Sequence, residues 1–308
     1  MENIINIDKL NKSYKVADIF DRIKGDKIKV GVNNVSFNVK KGEVFSVIGL
    51  NGAGKTTIMK SILGLIEPDS GKIEVFGRDK LKREDFYNIG YLPEISYYPK
   101  DIKLKTLIDF YGDLYNMSRK EKNKKIMESL EILGISSRIN DKLEKFSKGM
   151  VQRVGIAQAI MNSPKLLLLD EPMSGLDPKG RIQIMELITK LKKEGTTIVL
   201  NTHILSDVEK IGDRIAIIHN GYVKDILDVN CDKLRKTGNH IITIANEYKE
   251  FQKNGEFYEK MVGNNEFNKI LKKLIENNIN IVSIKEEEVS LEKYFIDIIE
   301  NDKTVGDK

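Results

Sequence analysis

Apolar and polar residues alternate in short runs near the start of the chain. Ile4-Ile5-Asn6-Ile7 and Val35-Ser36-Phe37-Asn38-Val39 have the period of two expected of strands with one buried face. Lys40-Lys41-Gly42-Glu43 turns the chain into a nearly continuous apolar run, Val44-Phe45-Ser46-Val47-Ile48, and Ile58-Met59-Lys60-Ser61-Ile62-Leu63 then changes to helical spacing. Residues 16–31 are charged, have no clear strand period and read as an insertion. Glu67-Pro68-Asp69-Ser70-Gly71 is turn chemistry, followed by the short strand Lys72-Ile73-Glu74-Val75-Phe76-Gly77.

From about residue 101 to 162 the pattern is helical: Leu104, Leu107, Ile108, Phe110 and Tyr111, then Ile126, Leu130 and Leu133, recur on one face. Ser163-Pro164 ends that block. Leu166-Leu167-Leu168-Leu169 and Thr196-Thr197-Ile198-Val199-Leu200 then read as strands buried on both faces, as in a parallel sheet. A helix over about 181–193, closed by Gly195, separates them. The pattern predicts an α/β core over residues 1–236, interrupted by a helical subdomain at about 101–162. A small α+β unit over 237–308 follows. It has a strand Ile241-Ile242-Thr243-Ile244, a helix with Phe267, Ile270, Leu271, Leu274 and Ile275, a strand at 279–284 and a last helix near 291–299. The polar tail after Glu300 is expected to fray. No internal repeat or heptad run is present.

Composition narrows the class. At 308 residues and 40% hydrophobic, the chain is too long for one ordinary small domain and short for three, which predicts one main domain and an appendage. The 51 Lys and Arg nearly balance 46 Asp and Glu in mixed-sign stretches, which describes a solvated surface and gives no reason to expect a nucleic-acid partner. The basic run Ser118-Arg119-Lys120-Glu121-Lys122-Asn123-Lys124-Lys125 falls on the outer face of a helix. One cysteine, Cys231, excludes an internal disulfide, and three scattered histidines make no Cys/His metal site. The N-terminus lacks a signal-peptide pattern, and no window approaches the roughly 18 to 20 apolar residues that cross a bilayer. A cytoplasmic location follows as the expectation, with any membrane role carried by a separate subunit.

Two motifs carry the chemistry. Gly49-Leu50-Asn51-Gly52-Ala53-Gly54-Lys55-Thr56-Thr57 is a G-x-x-x-x-G-K-[ST] loop between a strand and a helix. Successive backbone N–H groups and the helix dipole there converge on a volume suited to a polyphosphate. Lys55 is placed for the β- and γ-phosphates, and the Thr56 hydroxyl for a Mg²⁺ shell. Lys165-Leu166-Leu167-Leu168-Leu169-Asp170-Glu171-Pro172 sets two acids at the carboxyl end of a buried strand, expected beside the loop. Asp170 is then a Mg²⁺ ligand, directly or through water, and Glu171 the group that activates a water.

With these motifs in order, the chain resembles an ATP-binding-cassette protein. Phe146-Ser147-Lys148-Gly149-Met150-Val151-Gln152-Arg153 resembles the signature sequence, Ser174-Gly175-Leu176-Asp177 the loop that crosses to a second copy, and His203 in Asn201-Thr202-His203 the switch histidine. Tyr14 occupies the place where the family stacks a ring on adenine, and Gly90-Tyr91-Leu92-Pro93-Glu94 resembles the segment coupled to the membrane subunit. The resemblance implies a P-loop NTPase fold: a RecA-like parallel sheet, an antiparallel β subdomain and an inserted helical subdomain. It implies ATP and Mg²⁺ as ligands, with Tyr14, Asn51, Gly52, Ala53, Gly54, Lys55, Thr56, Thr57, Glu94, Ser147, Gly149 and Asp177 around the nucleotide. Thr56, Asp170 and Glu94 would lie around the metal, and Glu171, His203 and Lys55 would act in hydrolysis. Ser147 and the Gly149 N–H would serve the γ-phosphate of a second cassette, so the resemblance implies a pair, from a second copy or a sister chain. Simpler roles stand beside these: His203 as an ordinary core or surface histidine, Tyr14 as a packed aromatic, Asp177 as a helix cap before Pro178.

Glu94 stands where many members have Gln, and Lys148 where a glycine is usual. Both resemble the branch whose cassette is a stand-alone chain on the cytoplasmic face of the cell membrane. That branch works with a separately encoded permease, often as an exporter of antibiotics, lipids or polysaccharides. Val289-Ser290-Leu291-Glu292-Lys293-Tyr294-Phe295 resembles its terminal motif. The alternative is a soluble regulatory or repair ATPase of the same family. A kinase or GTPase would have no use for the signature and Asp177 segments. The unit at 237–308 would regulate, dimerise or simply pack.

Overall fold

Part of the charged stretch at 16–31, read above as an insertion, belongs to a long hairpin. In the computed structural model, which describes residues 2–16, 27–229, 231, 239–287 and 290–306, β1 (Asn3–Val16) pairs antiparallel with β2 (Lys27–Lys40), with Val16 opposite Lys27. Both strands outrun the alternating stretches that predict them, because ladder hydrogen bonds do not require apolar side chains on a solvated arm. Residues 17–26 lie outside the described residues. The chain continues through β3 (Val44–Gly49) and α1 (Lys55–Ile62), and β4 (Ser70–Val75) returns to β1, completing a three-stranded antiparallel sheet in the order β2-β1-β4.

The next elements are β5 (Ile89–Leu92), then the helices α2 (Leu104–Leu114), α3 (Arg119–Ile132) and α4 (Lys148–Ile160). β6 (Leu166–Asp170), α5 (Pro178–Lys193), β7 (Thr197–Thr202), α6 (Leu205–Ile211), β8 (Arg214–His219) and β9 (Tyr222–Asp228) follow. The second sheet runs β5-β6-β7-β3-β8-β9, parallel except for the antiparallel β9. Its pleat sorts one apolar run onto two cores. Leu167 and Leu169 pack with Leu107, Leu130, Val154 and Ile184 of α2 to α5, whereas Leu166 and Leu168 pack with Ile58 and Met59 of α1 and Ile5 and Ile7 of β1. Each such fully buried side chain stabilises by about 1.5–3 kcal/mol. The helical block thereby seals one face of the sheet, and α1 with the antiparallel sheet seals the other.

The elements above make up the first of two units, Met1–Asp228 and Val229–Lys308. The expected boundary at 236 falls among residues 232–238, outside the described residues, as does Val289. The second unit holds β10 (Asn239–Ile244), β11 (Gln252–Asn254), β12 (Phe257–Gly263), α7 (Asn264–Glu276), β13 (Ile281–Glu286) and α8 (Leu291–Gly306). Its sheet is antiparallel in the order β11-β12-β10-β13, around a core of Ile242, Ile244, Val262 and Leu274. The hairpin β11–β12 has no apolar alternation strong enough to predict it. α8 runs on to Gly306, past the point where the polar tail is expected to fray.

Candidate functional site

The phosphate-type loop is shaped by backbone that only glycine permits. Gly54 has φ +109°, and a Cβ there would stand 2.3 Å from the Gly31 carbonyl oxygen of β2. That approach brings the hairpin arm against the loop, so Tyr14, Lys29, Val30 and Gly31 wall a cleft of ≈ 550 Å³ whose floor is Asn51, Gly52, Gly54, Lys55, Thr56 and Thr57. The Tyr14 hydroxyl lies 3.1 Å from Thr57 Oγ1. Ala53 takes a different place: its side chain joins the core, and its N–H donates to the Leu50 carbonyl at 3.1 Å. Lys55 is buried, and its Nζ donates to the carbonyls of Gly49 (2.7 Å) and Leu50 (3.2 Å). Burial draws its ammonium below the ordinary lysine range, opposed by Glu171, Asp170 and Glu94.

Glu94, Asp170 and Glu171 close the cleft opposite. The acidic strand β6 is one strand removed from β3, because β7 lies between them. The intervening strand contributes Asn201, whose Nδ2 donates to Asp170 Oδ1 at 3.2 Å. Asp170 Oδ2 is buried with no hydrogen-bond partner among the described residues. Burial pushes the Asp170 carboxyl above its usual range, the Asn201 amide and Thr56 hydroxyl pull it down, and Glu94 and Glu171 push it further up. Tyr91 is pushed up to about 12 by burial, with Asp170 and Glu94 adding to the effect.

Glu171 is held in the left-handed region at φ 52°, which favours glycine over a side chain. Its N–H donates to the Asn201 carbonyl (3.0 Å), and its carbonyl accepts from the Ser174 N–H (3.1 Å) and from Gln152 Nε2 (3.0 Å). Glu171 Oε1 is 2.8 Å from Nδ1 of His203, whose ring is more than half exposed. This contact joins His203 to the acidic end of β6.

Ser147, Gly149 and Asp177 do not line this cleft. Ser147 Oγ caps α4 by accepting from the Met150 N–H at 3.2 Å, and Asp177 Oδ1 caps α5 by accepting from the Gly180 N–H at 3.0 Å. A Cβ on Gly149 would stand 2.9 Å from the Gly175 carbonyl oxygen, so the α4 start and the Ser174–Asp177 turn pack together. Sequence reasoning did not find Lys29, Val30 and Gly31, or the supporting roles of Asn201 and Gln152. Asn201 and Gln152 lie inside the Asn201-Thr202-His203 and Phe146–Arg153 segments, whose sequence carried no sign of these contacts. A separate groove of ≈ 540 Å³ is lined by Tyr87, Tyr91, Tyr97, Tyr98, Tyr111 and Tyr115 with apolar neighbours. Among the described residues, no helix is long and apolar enough to cross a membrane.

Residues 32–174 match the family model described as ABC transporter. Over 293 residues, 87% of this chain, the sequence is 34% identical to the bacitracin transport ATP-binding protein BcrA of Bacillus licheniformis, of which it covers 92%. It is 43% identical over 189 residues, 61% of the chain, to an uncharacterized ABC transporter ATP-binding protein, sll0415 of Synechocystis sp., and spans only about half of that protein, 53%. Its fold is similar to a dimeric ATP-binding cassette solved in a post-hydrolysis state with ADP and Pi, with a TM-score of 0.65 and 26% identity over 74% of this chain and 99% of that one.

Proposed function

The chain belongs to the ABC transporter family, and on that footing we propose that it is the ATP-hydrolysing subunit of a transporter whose membrane-spanning part is a separate chain. The observation that carries the reading is one cleft holding Lys55, Thr56, Asp170 and Glu171, with His203 on Glu171. Loop N–H groups and Lys55 Nζ bind the triphosphate, for which Lys55 exchanges its present carbonyl partners. The orphaned, buried Oδ2 of Asp170 beside Thr56 fits a Mg²⁺ ion, with Glu94 as a further oxygen donor. When bound, the ion offsets phosphate charge. Glu171 orients the attacking water and takes its proton, while His203 fixes the carboxylate and presents an exposed edge toward the γ-phosphate. Tyr14 and Val30 form the wall for the base.

Ser147 and Gly149 lie away from their own cleft, so they serve the nucleotide of a second cassette, a copy of this chain or a sister. The dimeric relative supports this pairing. ATP closes the pair, and loss of the γ-phosphate contacts reopens it. The tyrosine-lined groove, next to Glu94 in sequence, suits a helix end of the membrane subunit, with this chain peripheral on the cytoplasmic face. The likeness to BcrA, a bacitracin transport ATP-binding protein, supports an antibiotic-like cargo, and we take the direction to be export.

In a first test, Glu171→Gln should bind ATP normally and accumulate as a dimer on size exclusion, with turnover down by about a hundredfold or more. Unchanged turnover would sink the assignment of the base. For the partner, a tagged chain recovered from detergent-solubilised membranes should bring a polytopic protein with it. Recovery only from ribosome or DNA fractions would favour the soluble regulatory or repair ATPase.

A further inference from the structure

The general base reading leaves one buried polar side chain of α4 unused. Gln152 is 6% exposed and does not line the cleft, yet its Nε2 donates to the Glu171 carbonyl at 3.0 Å. Its target is a peptide in an uncommon state. Glu171 sits at φ 52°, and a side-chain-bearing residue persists there only where its surroundings over-determine it. Three bonds do so: Asn201 holds the N–H, and Ser174 and Gln152 share the carbonyl. Two of these come from segments adjoining the site. The third comes from α4, the helix that begins at the Ser147 cap.

We propose that Gln152 is a positioning residue for hydrolysis: by holding the Glu171 carbonyl it keeps the left-handed conformation that aims the Glu171 carboxylate at His203 and the water. The proposal rests on Glu171 being the base, and it adds that α4 sets the aim of that base. Without the donor, the carbonyl retains only the Ser174 N–H, and the peptide can relax toward the right-handed region. The carboxylate then loses its alignment, while the loop that binds ATP is untouched. A residue that only packs would change stability and leave the chemistry of the folded protein alone.

The test uses the full-length chain with Gln152→Met, which keeps the volume and removes the donor, and Gln152→Glu, which puts a charged acceptor toward the carbonyl. Turnover at saturating ATP should fall about tenfold for Met and at least as far for Glu, with KM and ATP affinity within twofold of the parent. Equal kcat, or a KM rise that accounts for the loss, overturns the proposal. Amide exchange at Ser174 offers a readout independent of hydrolysis, since that N–H bonds the same carbonyl. It should speed up in Gln152→Met, and an unchanged rate overturns the proposal. Absence of ATP hydrolysis by the parent chain would count against the ATPase reading itself, and the exchange measurement would still decide the role of Gln152.

Discussion

At the scale of single residues, Asp170 destabilises the fold that holds it. Its pKa is raised by burial above the reference 3.8, so between 3.8 and the raised value the folded chain keeps a proton that the unfolded chain has lost. Stability therefore falls as pH rises through that window, and the whole penalty stands above the raised value. Asp170→Asn should raise the urea midpoint of Mg²⁺-free, nucleotide-free protein at pH 7, a gain in unfolding free energy on the order of 1 kcal/mol, while abolishing Mg²⁺-dependent hydrolysis. A lower midpoint would contradict the burial argument. Lys55 runs the other way: its pKa is depressed below 10.5, so stability rises with pH from the depressed value up to 10.5. Lys55→Ala should leave the fold intact and remove measurable ATP binding by titration calorimetry. Near-normal affinity would refute the cradle. Lys55, Thr56, Asp170 and Glu171 were legible because local motifs fix their type and spacing. Asn201 and Gln152 fall inside motif segments, but they act on residues 31 and 19 positions away along the chain, and local sequence does not say which partner each contacts.

At the scale of elements, two helix starts do double duty in the proposed mechanism. Ser147 caps α4 and is assigned to the γ-phosphate of a second cassette, and these roles separate by charge. Ser147→Asp keeps a good cap, so the melting temperature should hold within the effect of a few tenths of a kcal/mol. The added carboxylate would face a triphosphate, so ATP-driven dimerisation, followed by light scattering, should be lost. Dimerisation at parental ATP concentrations would remove Ser147 from the interface. Loss of the α5 cap in Asp177→Ala should cost about 1 kcal/mol in thermal unfolding. The helices and buried strands were legible because their periods reflect burial. The arms of β1 and β2 beyond that alternation, and β11–β12, were not, since strands held mainly by ladder bonds leave a weak side-chain pattern.

For the whole molecule, the cleft draws on Tyr14, the loop after β3, Glu94 and the β6 end, with Asn201 and His203 at the β7 end, so it exists only when the first unit is folded. Ligand binding therefore reports on that unit. Mg²⁺ and ATP at a hundred times Kd should stabilise it by about 2.7 kcal/mol, seen as a shifted transition in calorimetry, with the transition of the second unit unmoved. A shift of both together would mean that the units unfold as one. The strand order has a further consequence for how the protein is made. β3, which carries the loop, finds its sheet partners only in β7 and β8, both far along the chain. A ribosome therefore completes the phosphate loop early but must deliver β7, from Thr197, and then β8, from Arg214, before that strand has both neighbours. Until then the nascent chain displays an unpaired apolar edge, and its capacity to hold ATP arises late in translation, long after the motif itself has emerged.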